Sequence, residues 1–407
     1  MRLPEVVRAI PRPIWIGAGA SFLGFGSFYL LVAALPVYLN QLGYSAAGIG
    51  AVVGAGYVVN VAAYAFTAYL TDRRGQRGFV AATAAGLGAS ALVYTLAGSM
   101  VVFVVASVLQ GLTMSAFATA ITAYVGKLAP SGGRGSAIGF YSVFSLVAQA
   151  AAPPLGILCG SRAGYLLLFE VSAACGLAAA AVALLLPRPA MSASPADLRQ
   201  WLGGLSALAA PGTVQLVVGV CRGVTLAFLP VYMIRNGVGN PGLFFTFQVV
   251  TAIVLRPLCG TLSDQYGRLA LVLPGLLVAG AGILLIALPA SYLTLTASGV
   301  LFGAAVAVLA PTVLAWAFDR TGLDQRGLAS GVYNTCYDLG RAASALGLGA
   351  LVAVAGFPAI FLTAGTIPVL AAGGMFIHYR TRMRRQADRK PPGHGVAAAS
   401  QAGERRP

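Results

Sequence analysis

Long apolar runs, parted by short polar connections, fill most of the chain. They lie at 14–39, 46–70, 78–97, 100–124, 136–159, 163–187, 212–234, 241–262, 269–289, 293–317, 328–353 and 357–379. A helix of about 20 apolar residues crosses the ~30 Å hydrocarbon layer of a bilayer. The pattern therefore predicts twelve transmembrane helices, numbered here as spans 1–12, and an all-α integral membrane fold. The first run follows Arg2, Arg8 and Arg12. It exceeds the 7–15 residues of a signal-peptide core, so it reads as an uncleaved span.

Composition sharpens this picture. Of 407 residues, 58% are hydrophobic and 9% are charged, against about 25% charged in soluble domains. The balance excludes an ordinary soluble enzyme, a disordered chain and a nucleic-acid-binding domain. The 52 glycines point to close helix packing. Cys159, Cys175, Cys221, Cys259 and Cys336 all fall in or beside apolar runs and form no CxxC. They read as small packing residues, with neither a disulfide framework nor a metal site expected.

The formal charge of +16 is an orientation signal. Lys and Arg crowd the N-terminus, the even-numbered connections and the C-terminus, while the opposite side holds Arg162 and Arg235. By the positive-inside rule both termini are expected in the cytoplasm. The chain divides into a six-span half (1–187), a cytoplasmic linker (188–211), a second six-span half (212–379) and a disordered basic tail (380–407). The tail's Arg cluster could also touch anionic lipid.

The halves repeat. Leu35-Pro36-Val37-Tyr38 returns as Leu229-Pro230-Val231-Tyr232, offset by 194. Asp72, Gly75 and Gly111 return as Asp264, Gly267 and Gly303, offset by 192. Arg134, Gly135, Ala137, Gly139 and Tyr141 return as Arg326, Gly327, Ala329, Gly331 and Tyr333 at that same offset. An even span number per half gives both halves one orientation. Two parallel six-helix repeats make a transporter with a cavity between them.

Two loops carry a family resemblance. The loop after span 2 reads Ala68-Tyr69-Leu70-Thr71-Asp72-Arg73-Arg74-Gly75-Gln76-Arg77; that after span 8 reads Gly260-Thr261-Leu262-Ser263-Asp264-Gln265-Tyr266-Gly267-Arg268. These resemble the G-x-L-x-D-x-x-G-R signature of the major facilitator superfamily, with Ala68 replacing the first Gly in the first copy. The resemblance covers the chain to about residue 380 and usually implies a monomer. A Gly-dependent turn sets an Asp at a helix N-terminus and Arg beside carboxylates. Such contacts are expected to latch the halves on the cytoplasmic face.

Ionisable groups inside spans cost about 2.5–3.5 kcal/mol on insertion scales and mark functional positions. Asp338 and Arg341 in span 11 are three apart, so they share a helix face and can pair; Asn334 and Tyr337 extend it. The repeat places Leu146 and Gln149 at the corresponding first-half positions, so one cavity-lining helix has been made asymmetric. Asp338 is the expected coupling carboxylate, or one half of a static ion pair. In the family that the loops resemble, spans 1, 4, 7 and 10 line the cavity, which implies that Arg222 in span 7 faces substrate and that the substrate carries a carboxylate or phosphate; the alternative is pairing with Asp338. Arg256, before Pro257, resembles an Arg common at this place in efflux members, which implies a structural or gating role. Glu170 in span 6 is a second proton-coupling candidate, or a packing residue. Tyr57, Asn60, Tyr64, Gln110, Tyr141 and Gln248 supply a mixed aromatic and amide lining suited to an amphipathic molecule.

No G-x-x-x-x-G-K-[ST] and no soluble nucleotide domain is present, so an ion gradient is the expected energy source, with no cofactor. Within the superfamily the chain is most similar to bacterial efflux members: drug:proton antiporters, arabinose-efflux permeases and opine-metallophore exporters. Leu229–Tyr232, Arg256-Pro257 and 334–340 carry this narrower likeness. Two departures stand out. Ser107 replaces the family's span-4 Arg, and Ala152-Pro153-Pro154-Leu155-Gly156 replaces its Gly-Pro signature. Proton coupling then falls to Asp338 or Glu170. Export of a small organic compound by proton antiport is expected; the alternative is uptake of an organic anion. A receptor or membrane enzyme fits poorly, since no nucleophile–base or metal constellation appears.

Overall fold

The structure, a computed structural model, describes residues 11–73, 76–96, 98–128, 134–187, 207–321 and 326–388. Within these, the side chains at 62–73, 76, 126–127, 134–138, 260–261, 264, 326–327 and 382–388 lie outside the description. Spans 1–6 are the helices Arg12–Gln41, Ala46–Arg73, Gln76–Thr95, Met100–Leu128, Arg134–Ala163 and Tyr165–Ala183. Span 7 is Ala209–Ala227 followed by Leu229–Arg235; spans 8–10 are Leu243–Tyr266, Arg268–Ile286 and Tyr292–Asp319. Spans 11 and 12 are the two arms of Arg326–Asp388, divided at Gly356, whose φ of +78° reverses the chain.

Three features differ from the sequence expectation. Span 7 is broken at Phe228, because Pro230 lacks an N–H and its ring crowds the carbonyl one turn back. Span 12 runs on as helix to Asp388, past the expected end at 379; its Arg, Met and Gln residues are good helix formers. Residues 389–407 and 188–206, the rest of the tail and most of the linker, lie outside the described residues.

Packing repeats as the sequence does. Span 1 pairs with 5, 2 with 4 and 3 with 6; likewise 7 with 11, 8 with 10 and 9 with 12. Gly111 of span 4 abuts the backbone of Gly56 in span 2. Its repeat mate Gly303 of span 10 abuts that of Gln248 in span 8. Small residues let apolar helices approach this closely. The halves meet through span 2 on span 11 and span 5 on span 8. Outward-facing Leu96, Leu293, Val354 and Leu370 are strongly exposed, which suits hydrocarbon rather than water. The chain is a multi-pass membrane protein.

The bundle's odd end carries the connections after spans 1, 3, 5, 7, 9 and 11. Its even end carries the others.

Candidate functional site

The centre of the site is set by how spans 7 and 11 touch. A Cβ on Gly219 would stand 2.1 Å from the Tyr337 carbonyl oxygen, and one on Gly340 would stand 2.1 Å from that of Leu216. Only glycine fits at these crossings. The tight contact fixes the register of Asp338 and Arg341 against the helix that carries Arg222.

Asp338 is fully buried, and its Oδ1 accepts a 2.7 Å hydrogen bond from Arg341 Nη1. The i,i+3 spacing thus makes the ion pair that helix geometry allows. The Arg341 guanidinium also lies over the Tyr57 ring of span 2, 3.8 Å from its centroid, with Tyr337 at 5.4 Å. Such a stack of cation on ring face is attractive, most so away from water. It crosses between the halves. Arg341 Nε is buried and has no hydrogen-bond partner.

Arg222, also buried, donates to Gln248 Oε1 of span 8 and stands 5.3 Å from the Phe245 ring centroid. Tyr29 of span 1 is half-buried and lies within the electrostatic reach of both Arg222 and Arg341. The second half therefore brings two guanidiniums and one carboxylate to the middle of the molecule, and the first half brings Tyr57 to Arg341.

Other expected lining residues are spread more widely. Asn334 turns its amide back to the Ser330 carbonyl, 3.0 Å away. Gln110 accepts from Tyr94 of span 3 at 3.0 Å, and Tyr141 meets Thr122 of span 4 at 3.2 Å. Asn60 is buried with its Oδ1 unpartnered, while Gln149 is half-buried. Glu170 is exposed on span 6. Tyr64 has no described side chain. Tyr57 and Gln110 do share a small recess with Phe28, Leu31, Val53 and Ser107, between spans 1, 2 and 4.

At the even end, Gly267 joins spans 8 and 9 with φ +87°, a conformation open to glycine at little cost. Arg268 follows it, donating Nε to Asp319 Oδ2 at 2.9 Å and Nη1 to Ser263 Oγ at 2.8 Å. These ties lie within the second half. Arg77 is half-buried at the start of span 3, and Arg256 is exposed on span 8. Gly260 lies inside span 8. Gly75 and the side chains of Asp72, Arg73 and Asp264 fall outside the described residues.

Hydrogen bonds join the halves at the odd end. Arg235 Nε donates to Asn40 Oδ1 at 3.0 Å, and Asn240 Nδ2 donates to the Pro154 carbonyl at 3.3 Å. Thr246 Oγ1 donates to the Ala150 carbonyl at 2.7 Å. Sequence reasoning missed Tyr29, Phe245, Asp319, Asn40 and Thr246 as site residues. Asp319 could have been found, because an acid at the end of a span adds little to topology and so asks for another role.

The family profile described as Major Facilitator Superfamily matches residues 17–244 and 212–404. The multidrug resistance protein MdtG of Escherichia coli O17:K52:H18 is 25% identical over 377 residues, covering 87% of this chain and 90% of MdtG. A POT family transporter crystallised with a thioalcohol-conjugated peptide superposes with TM-score 0.80 at 13% identity, over 91% of this chain and 96% of that one. The nucleoside transporter NupG gives TM-score 0.78 at 13% identity, over 91% and 99%.

Proposed function

Because the chain belongs to the Major Facilitator Superfamily, we propose that it is a secondary active exporter of a small organic compound, driven by proton antiport through alternating access. It is a transporter and not an enzyme. The observation that carries the proposal is the buried Asp338–Arg341 pair, stacked through Arg341 on Tyr57 of the other half. A carboxylate shut away from water exchanges its proton only when its surroundings change. Here the surroundings include a residue that moves relative to it when the halves rock. Proton occupancy of Asp338 and the arrangement of the halves are thereby coupled.

The excess of Lys and Arg at the even end supports placing that end, with both termini, in the cytoplasm of the inner membrane. The described contacts then close the outer side. The name of the E. coli relative, a multidrug resistance protein, supports export.

Flux in proteoliposomes tests the reading. Asp338→Asn keeps the shape and removes the titrating group. It is expected to abolish flux driven by a pH gradient while leaving substrate exchange across the membrane. Unchanged uphill flux in this variant would sink the proposal.

One observation favours a second reading, uptake of an organic anion by symport or facilitated diffusion. Arg222 and Arg341 together outweigh Asp338, leaving the centre cationic. The sign of net movement in oriented vesicles decides between the two directions.

A further inference from the structure

Two features meet at Tyr57. One face of the site presents cations; the adjoining recess presents hydrocarbon. We propose that the transported molecule is an amphipathic monoanion, its acidic group held between Arg222 and Arg341 and its apolar body lying in the recess between spans 1, 2 and 4. This rests on the reading of the central constellation as the transport site.

The acidic end follows from an inventory of donors. Arg341 has five N–H groups in a rigid fork. Asp338 takes one through Nη1, while the buried Nε has no partner. A buried donor left unmade costs about 1–3 kcal/mol, and more when charged. A carboxylate, sulfonate or phosphonate oxygen on the Nε edge removes that cost. Arg222 adds a second cation, with its amide partner Gln248 supplying no countercharge. Tyr29, in the field of both arginines, offers a neutral O–H donor from the other half. Two guanidiniums against one carboxylate leave room for one negative charge, not two.

The apolar end follows from the recess. Phe28, Leu31, Val32, Leu35 and Val53 line it, relieved by Ser107 and the already bonded Gln110. These hydrocarbon walls suit an apolar body rather than a second polar group. Tyr57 belongs to both regions: it walls the recess and carries the Arg341 stack. An occupant reaching from recess to cations touches both halves at once, as a substrate driving their closure must.

The test is a head-group series on one body, measured on the full-length protein in detergent by equilibrium titration. 2-Naphthylacetate, neutral 2-naphthylacetamide, cationic 2-naphthylethylamine and acetate, which lacks the body, are compared. Naphthylacetate is expected to bind at least about tenfold more tightly than each of the other three, the value of one charge-assisted hydrogen bond of about 1.5 kcal/mol. Arg222→Gln is expected to erase the preference for the acid over the amide. Val53→Trp, which fills the recess, should weaken naphthylacetate while leaving acetate unchanged. Equal binding of acid and amide, preference for the amine, or no binding by any member overturns the assignment, and none of these outcomes needs a variant to fold. Counterflow in proteoliposomes separates the two levels. Binding of naphthylacetate without its movement would sink the transport reading and leave the site standing. Movement of a cationic dye that naphthylacetate does not inhibit would leave transport standing and sink the site.

Discussion

The hydroxyl of Thr246 in span 8 caps the carbonyl of Ala150 in span 5, 2.7 Å away in the other half. That carbonyl is free because of what stands four residues later. Pro154 has no N–H, so the helix cannot satisfy Ala150 itself. The paired prolines that depart from the antiporter signature thus expose an acceptor, and the second half supplies its donor.

Thr246→Val removes the donor at nearly constant shape. The orphaned carbonyl then costs the odd-end-closed arrangement about 1–3 kcal/mol, a shift of roughly fivefold to 150-fold in its population. Spin-label distances between the odd ends of spans 5 and 8 are expected to lengthen or broaden in this variant and to stay as wild type in Thr246→Ser. An unchanged distribution in Thr246→Val would remove the contact from the closure mechanism.

The stack of Arg341 on Tyr57 makes a separate prediction. Tyr57→Phe keeps the ring face and is expected to keep transport within about twofold. Tyr57→Leu keeps bulk but loses the quadrupole, worth ~2 kcal/mol in a desolvated setting. Transport is expected to fall by about tenfold or more. Equal losses in the two variants would assign the effect to the hydroxyl and not to the stack.

Much of this was legible in the chain. Spans were readable because hydrocarbon demands long uninterrupted apolar runs. The Asp338–Arg341 pair was readable because i,i+3 neighbours on one helix need no tertiary knowledge. Gly267 was readable from its place in a repeated loop. What could not be read were contacts between spans. The Gln248 partner of Arg222 and the Tyr57 partner of Arg341 depend on helix rotation and depth, which spans apolar on all sides do not encode. Glu170 shows the same limit: its run gives no polar face, and the structure puts it outward. Tyr29 carried no charge to single it out, although it lies within the electrostatic reach of both arginines.

The loop glycine gives a stability prediction. Gly267 adopts φ +87° with ψ 156°, an essentially glycine-only conformation that costs other residues roughly 1–3 kcal/mol. Gly267→Ala is expected to lower the unfolding midpoint of the purified protein and to loosen Arg268 from Asp319. Gly373→Ala is the comparison: nothing lies within 4 Å of a Cβ there, and its backbone is helical. A midpoint at or above wild type is expected for it. Equal effects at the two positions would deny the turn its special conformation.

The crossing of spans 7 and 11 carries the last prediction. A Cβ on Gly219 would overlap the Tyr337 carbonyl at 2.1 Å, and one on Gly223 would lie 2.5 Å from that of Arg341. Neither contact is with a flexible side-chain end, so the helices must separate to admit even alanine. Separation moves Asp338 and Arg341 away from Arg222 while leaving every charged group in the chain. Gly219→Ala is therefore expected to reduce transport severalfold or more with membrane insertion and expression retained. The loss should appear in both proton-driven flux and exchange, unlike that of Asp338→Asn, because the cavity itself is displaced. Loss confined to proton-driven flux would mean that the crossing tunes Asp338 alone. Wild-type flux in both assays would mean that the spans accommodate the methyl group without moving the site.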